Sequence, residues 1–302
     1  MLQTLADPIL PVFLALVTGY ALRKGGVIES AHAAAINKFA FYLAVPALIV
    51  SVVGKAPIGD FEWAAVGVYF AVQMTLYLGT FALLKIVLRL PTAEALLLGM
   101  AASFVNHVFF VLPIAERLVG PDAGVPMAGL VMLDAGVIFP ATVLATALLT
   151  ATGDSKSGMA GLILKNPFVY ASPIGIALGL LGDAAPSGIM TFAEFAGASA
   201  APVLLFTLGV TLAGSSLARI GPEVWIVTAV KLLVHPALVG GLLTLVTVSQ
   251  FTTDITLLVA AGPCGAMPFV IATQYGVRTE AIAKAVLIST VLSILSLAVL
   301  TA

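Results

Sequence analysis

Apolar residues run along this chain in long continuous stretches, separated by short polar clusters. A helix needs about 20 such residues to cross a bilayer. Ten stretches qualify, over residues 7–22, 32–53, 63–88, 93–116, 124–150, 166–182, 190–213, 223–248, 254–275 and 280–300. The runs are continuous and do not alternate with period two, which excludes barrel strands. The intervening loops are short and marked by Gly25-Gly26, Lys55-Ala56-Pro57, Gly120-Pro121-Asp122, Gly182-Asp183 and Gly221-Pro222. The most polar piece, 152–158, falls between two groups of five spans.

Proline stands inside several of these stretches, among them the apolar runs 39–53, 200–213 and 257–275. Two of these match. Phe39 to Leu48 reads F-A-x-x-x-A-x-P-x-L, and so does Phe195 to Leu204, an offset of 156 residues (202 − 46). Asp7-Pro8 and Asn166-Pro167 repeat at 159, and Trp63 and Trp225 at 162. Five spans per half is an odd number, so two such halves insert in opposite directions and the repeat is inverted. An inverted repeat with helix breakers inside its spans is the pattern of a secondary transporter.

Composition agrees with lipid as the solvent. Of 302 residues 61% are hydrophobic and 9% charged, more apolar surface than a soluble domain of this size can hide. The net charge of −1 leaves no basic footprint for nucleic acid. One cysteine, Cys264, excludes an intramolecular disulfide. The first span has no basic segment before it and is read as retained, not as a signal peptide. Lys and Arg divide unevenly. Arg23, Lys24, Lys38, Lys85, Arg89, Lys156, Lys165, Arg219, Arg278 and Lys284 follow odd-numbered spans, and only Lys55 and Arg117 follow even-numbered ones. This bias puts the odd loops in the cytoplasm and both termini outside. The organisation expected is a first five-helix repeat over 1–151, a central cytoplasmic loop over 152–165 and a second repeat over 166–302.

Candidate chemistry concentrates in spans 4 and 9. Span 9 contains Pro263, Cys264, Gly265, Met267 and Pro268, and two prolines with glycine between them cannot keep an unbroken hydrogen-bond ladder. The freed backbone groups must face protein or a wet cavity. Span 4 carries Ser103, Val105, Asn106 and His107 before Pro113. Broken helices from opposite halves that cross near the midplane aim half-helix N-termini at one point, where an anion is favoured. Asp134 lies in span 5, and Lys231 and His235 share a face of span 8. A charge at this depth costs about 2.5–3.5 kcal/mol on insertion scales, so Asp134 and Lys231 are expected to pair, either as a static bridge or as an ion-coupling element. Gln73 and Gln274 are further hydrogen-bonding candidates. With His32, His107 and His235 on different segments, no metal motif appears.

These residues resemble the auxin efflux carrier family, which includes the plant PIN-type carriers and bacterial organic-acid transporters. The resemblance runs through Leu22-Arg23-Lys24-Gly25-Gly26, Tyr42 to Leu48, Lys165-Asn166-Pro167, Ala200-Ala201-Pro202, Lys231 to Pro236 and, most specifically, Pro263-x-Gly265-x-x-Pro268-Phe269-Val270-x-Ala272-x-x-Tyr275-Gly276. It implies an all-α integral membrane protein of ten transmembrane helices, a 5+5 inverted repeat with broken crossing helices 4 and 9, like bile-acid symporters and sodium/proton antiporters. A scaffold domain of helices 1, 2, 6 and 7 would face a transport domain of helices 3–5 and 8–10, in an elevator-type alternating-access cycle. Asn106 and Pro113 match the family pattern in span 4. Val108 and Val111 stand where many members have glycine, and Val105 where plant members have proline, so the break in that span is the less specified one.

The function expected is transport of small organic anions (carboxylates, auxin-like or dicarboxylate) across the cytoplasmic membrane, without catalysis. Val105, Asn106, His107, Pro263, Cys264, Gly265, Met267 and Pro268 would bind the substrate. Asp134, Lys231, His235 and Gln73 would support the site or couple it to Na+ or H+. Alternatives are a sodium- or proton-coupled symporter of the bile-acid type, a cation/proton antiporter and, with no catalytic set to support it, an intramembrane enzyme. The partners expected are an organic acid, lipid and, by the family's habit, a second copy of the chain.

Overall fold

The structure, a computed structural model, describes residues 2–151, 167–214 and 220–300. The predicted central loop, with Lys156 and Lys165, and also Asn166 and Arg219, lie outside the described residues. Among those described, the regular structure is helical, apart from one isolated antiparallel bridge between Val105 and Cys264. In chain order the helices are α1 (Leu2–Lys24), α2 (Ser30–Gly54), α3 (Trp63–Ile86), α4 (Thr92–Ala101), α5 (Leu112–Val119), α6 (Gly124–Thr150), α7 (Phe168–Leu181), α8 (Ser187–Gly214), α9 (Pro222–Leu243), α10 (Gln250–Ala260), α11 (Met267–Gln274) and α12 (Glu280–Leu300). Five of them, α2, α3, α6, α8 and α9, are long and apolar enough to cross a membrane.

Proline sets the local geometry in four places. Pro46, Pro113, Pro140 and Pro236 are each preceded by a π turn, at Ala40–Ala44, His107–Val111, Asp134–Ile138 and Val230–Val234. Proline has no N–H to donate, and its ring collides with the carbonyl four residues back. A wider turn moves that carbonyl aside. In each case the residue just before the proline bonds five residues back: Val45 to Ala40, Leu112 to His107, Phe139 to Asp134 and His235 to Val230. Three polar residues singled out by sequence, His107, Asp134 and Lys231, therefore sit in π turns.

Packing is closest where small residues meet. α1 lies along the second half of α8, and at Gly209 a Cβ would fall 2.0 Å from the Leu16 carbonyl oxygen. Only glycine permits that approach. α7 packs on the second half of α2, α3 on α4, and α9 on α3, α10 and α12. The interrupted pieces lie deepest: Ala95, Leu97, Leu98, Met100 and Ala101 of α4 and Val270, Ile271 and Ala272 of α11 are all buried.

One link lies outside the apolar layer. The Glu62 carboxylate, just ahead of α3, accepts from the Ser249 hydroxyl, the Ser249 N–H at 2.7 Å and the Thr252 hydroxyl at 2.5 Å, at the start of α10. The Ser249 hydroxyl, then that of Thr252, then the Ser249 N–H hold this carboxyl below its usual 4.5. A lowered folded value means the contribution is present above the unfolded pKa and is lost as pH falls through the folded one. Glu62→Gln is expected to lower the melting temperature at neutral pH, with the gap closing on acidification. A gap that stays constant into acid would show that the charge does not hold this link.

Candidate functional site

Spans 4 and 9 of the sequence are both interrupted, and the interruptions cross. After α4 the chain leaves helical geometry through Val105 and Asn106 before the π turn begins at His107. After α10 it runs extended through Pro263, Cys264 and Gly265 before α11. The two segments pair antiparallel: the Asn106 N–H donates to the Pro263 carbonyl at 3.1 Å, and the Gly265 N–H to the Phe104 carbonyl at 2.9 Å. The Cys264 N–H donates to the Ser289 hydroxyl at 3.1 Å. Pro263 has no N–H that needs a partner. These non-helical backbone groups thus find partners inside protein, as lipid depth demands. Span 4 breaks without the glycines at Val108 and Val111 because its backbone stays in ordinary regions, with φ −82° at Asn106. Close approach is supplied from the other strand. A Cβ on Gly265 would lie 2.9 Å from the Val105 carbonyl oxygen.

A cavity of about 70 Å³ opens beside the crossing. One wall is apolar, from Val45, Ile49 and Val52 of α2 and Leu204 and Leu205 of α8. The other is the crossing itself, with Val105, Asn106, His107, Gly265 and Met267, together with Asp134 and Phe139 of α6. A water needs ~10–15 Å³ by such a measure, so the space suits a few small polar groups. Asn106 is 7% exposed and its side-chain amide has no protein partner. The first turns that begin at His107 and at Met267 both border the cavity, and each helix start leaves orphan N–H donors. Pro263 and Cys264 are in the pairing backbone, off the cavity wall, and Pro268 is in the first turn of α11.

The charged residues arrange differently from expectation. Asp134 and Lys231 do not pair. The Lys231 ammonium, fully buried, donates to the Ala260 carbonyl at 2.6 Å and meets His235 Nδ1 at 3.0 Å. It caps the C-terminal end of α10, where orphan carbonyls and the helix dipole favour a cation. The break in span 9 creates those carbonyls, and the next, on Ala261, accepts from Ser296. Asp134 takes Gln73 instead: Gln73 Nε2 donates to Oδ1 at 2.5 Å. Asp134 Oδ2 has no hydrogen-bond partner, with His107 Nδ1 3.4 Å away. His107 Nδ1 is 3.0 Å from the Val105 carbonyl, and its Nε2 is 3.3 Å from the Tyr69 hydroxyl. Tyr69, whose ring also lies against His235, escaped the sequence reading. Its signal there was a phenol in mid-span, whose hydroxyl needs a partner. Gln274 donates to the Tyr42 hydroxyl at 3.2 Å, away from the cavity. Among the described residues no cluster of three or more His, Cys, Asp or Glu side chains suits a metal ion.

Comparison with known proteins points to membrane transport. A family model described as membrane transport protein matches residues 4–162 and 157–301. The chain is 30% identical over 272 residues to a Rhizobium meliloti (strain 1021) protein provisionally named a malonate transporter, covering 86% of this chain and 83% of that one. It is 24% identical over 294 residues to an uncharacterised transporter of Methanothermobacter thermautotrophicus, covering 96% of this chain and 95% of the relative. An uncharacterised transporter of Methanocaldococcus jannaschii is 23% identical over 303 residues, at 97% and 96% coverage. The protein is thus a multi-pass membrane protein that carries solute and performs no catalysis. With a match over nearly its whole length and the crossing motif in place, the chain belongs to the membrane transport protein family, that of the auxin efflux carriers.

Proposed function

We propose that this protein is a secondary transporter of small organic anions, working by alternating access in the cytoplasmic membrane with both termini outside. The observation that carries the reading is the antiparallel crossing of two broken helices beside a cavity that holds an unpartnered amide, Asn106. An incoming carboxylate takes the Asn106 amide N–H and the orphan N–H groups at the starts of the His107 turn and of α11. Such dipoles are fixed before the anion arrives, so little reorganisation opposes binding. The apolar wall from α2 and α8 excludes water from the other side.

The interrupted pieces complete ten spans in two inverted halves. Supporting this, Cys264 lies 158 residues after Asn106 (264 − 106), and Lys231 lies 158 after Gln73 (231 − 73). Both pairs flank the crossing from opposite halves. α1, α2, α7 and α8 form the scaffold and the remaining helices the moving body, an elevator-type division in which the cavity sits on the seam. The name of the Rhizobium relative makes malonate the first acid to try.

Asn106→Ala tests the site. The wild type is expected to gain thermal stability with at least one member of a mono- and dicarboxylate panel that includes malonate, and the variant to lose that gain while its ligand-free melting temperature stays close. A hydrogen bond to a charged group is worth about 1.5–3 kcal/mol, or about 10- to 150-fold in affinity. An unchanged shift in the variant would remove Asn106 from the site, and no shift with any acid would overturn the transport reading.

A further inference from the structure

We propose that Asp134 is a proton-binding site whose proton enters and leaves with the organic anion, so that transport is anion–proton symport. The inference rests on the transport reading of this same cavity and adds its coupling ion.

Asp134 is 2% exposed and borders the cavity. Its surroundings leave the charge unmatched. From α3, Gln73 gives one N–H to Oδ1, and the Tyr69 hydroxyl is engaged with His107. From the crossing, the His107 ring has a carbonyl at Nδ1 and a phenol at Nε2. That pattern fits a neutral ring, with its Nδ1 proton on the Val105 carbonyl and Nε2 accepting from Tyr69. Cys264, also from the crossing, gives its N–H to Ser289. From α9, Lys231 is committed to Ala260 and His235. No cation is in contact with Asp134, and a carboxylate buried without one is costly enough that it takes up a proton instead.

Two orphan acceptors point the same way. Asp134 Oδ2 and Gln73 Oε1 are both buried without a hydrogen-bond partner. One added proton supplies a donor. Rotating the Gln73 amide then turns Oε1 toward the protonated carboxyl, so the same side chain serves Asp134 in either state. The arriving anion makes the requirement stricter. An ionised Asp134 would face a second negative charge across a small cavity with few screening waters. A proton taken from water on the entry side removes the clash, and it returns to water on the exit side when the anion leaves.

Two measurements test this on the full-length protein in detergent. The first is calorimetric titration with malonate and with the rest of the carboxylate panel, in buffers of different ionisation enthalpy. The wild type is expected to take up about one proton per anion above the Asp134 titration, with affinity falling about tenfold per pH unit there. Asp134→Asn is expected to bind with no uptake and a flat pH profile. Binding without proton uptake in the wild type, or uptake that persists in Asp134→Asn, overturns the proposal. The second needs no substrate. Infrared spectra recorded from mildly acid to mildly alkaline pH are expected to show a protonated-carboxyl band that Asp134→Asn removes. Absence of that band overturns the proton site, as does a band that sodium abolishes at constant pH, which would make the ion a metal cation. If no acid on the panel binds, the transport reading fails, and the infrared band still decides the proton site.

Discussion

Gly265→Val is expected to reduce uptake into proteoliposomes by about 100-fold or more, the scale on which about an ångström of misplacement destroys a preorganised site. A Cβ at this position would lie 2.9 Å from the Val105 carbonyl oxygen and 2.7 Å from Cδ1 of Phe104. The phenyl ring can turn away, but the carbonyl cannot. It belongs to the paired backbone and also sits 3.0 Å from His107 Nδ1. Relief therefore means parting the two crossing segments, which spoils both helix starts at once. Gly262 offers the contrast. Its Cβ would meet Cγ2 of Val111 at 2.4 Å and Cγ1 of Val105 at 2.9 Å. Gly262→Ala is expected to be damaging alone and partly rescued by Val111→Ala, whereas no side-chain trim rescues Gly265→Val. Near-normal uptake by Gly265→Val protein would show that the crossing tolerates separation.

Lys231→Met is expected to cost stability whatever the substrate does. Methionine keeps most of the buried length but leaves the Ala260 carbonyl without its donor, a loss of about 1.5–3 kcal/mol for a hydrogen bond to a charged group. The methionine side chain also cannot oppose the dipole at the end of α10. The melting temperature should fall by several degrees, roughly 2–4 °C per kcal/mol for larger domains, and ligand should not restore it fully. A variant as stable as the wild type would mean that the end of α10 needs no cation. This expectation differs from one based on a bridge to Asp134, in which removing Lys231 would strand a carboxylate and act mainly on ion dependence.

The breaks were legible because their cause is local. Proline announces the loss of an N–H wherever it stands, and Pro263, Gly265 and Pro268 mark an interruption without any tertiary information. The match between the runs around Pro46 and Pro202 was likewise visible in sequence alone. Pairing was not. Asp134 and Lys231 are the opposite charges nearest mid-span in their helices, and sequence offers no register between helices. The partners chosen instead, Gln73 for Asp134 and the Ala260 carbonyl for Lys231, depend on helix rotation and on a carbonyl that is free only because span 9 breaks. The four π turns were also hidden. Each adds a residue to a turn and swings everything beyond it around the helix axis, so a face drawn at ordinary α spacing past Asp134 or Lys231 points the wrong way. The break in span 4 was underspecified for a further reason: the close approach that the crossing needs is provided by glycine on the opposite segment.

Cys264 is the one thiol in the chain, it is fully buried, and it sits in the bridge itself. Nature has thereby installed a reporter where the two broken helices cross, with no competing sulfhydryl to silence. Alkylating reagents are expected to reach that sulfur only when the paired segments part, so the rate of its modification would count how often the crossing opens, in the untouched protein and without a label.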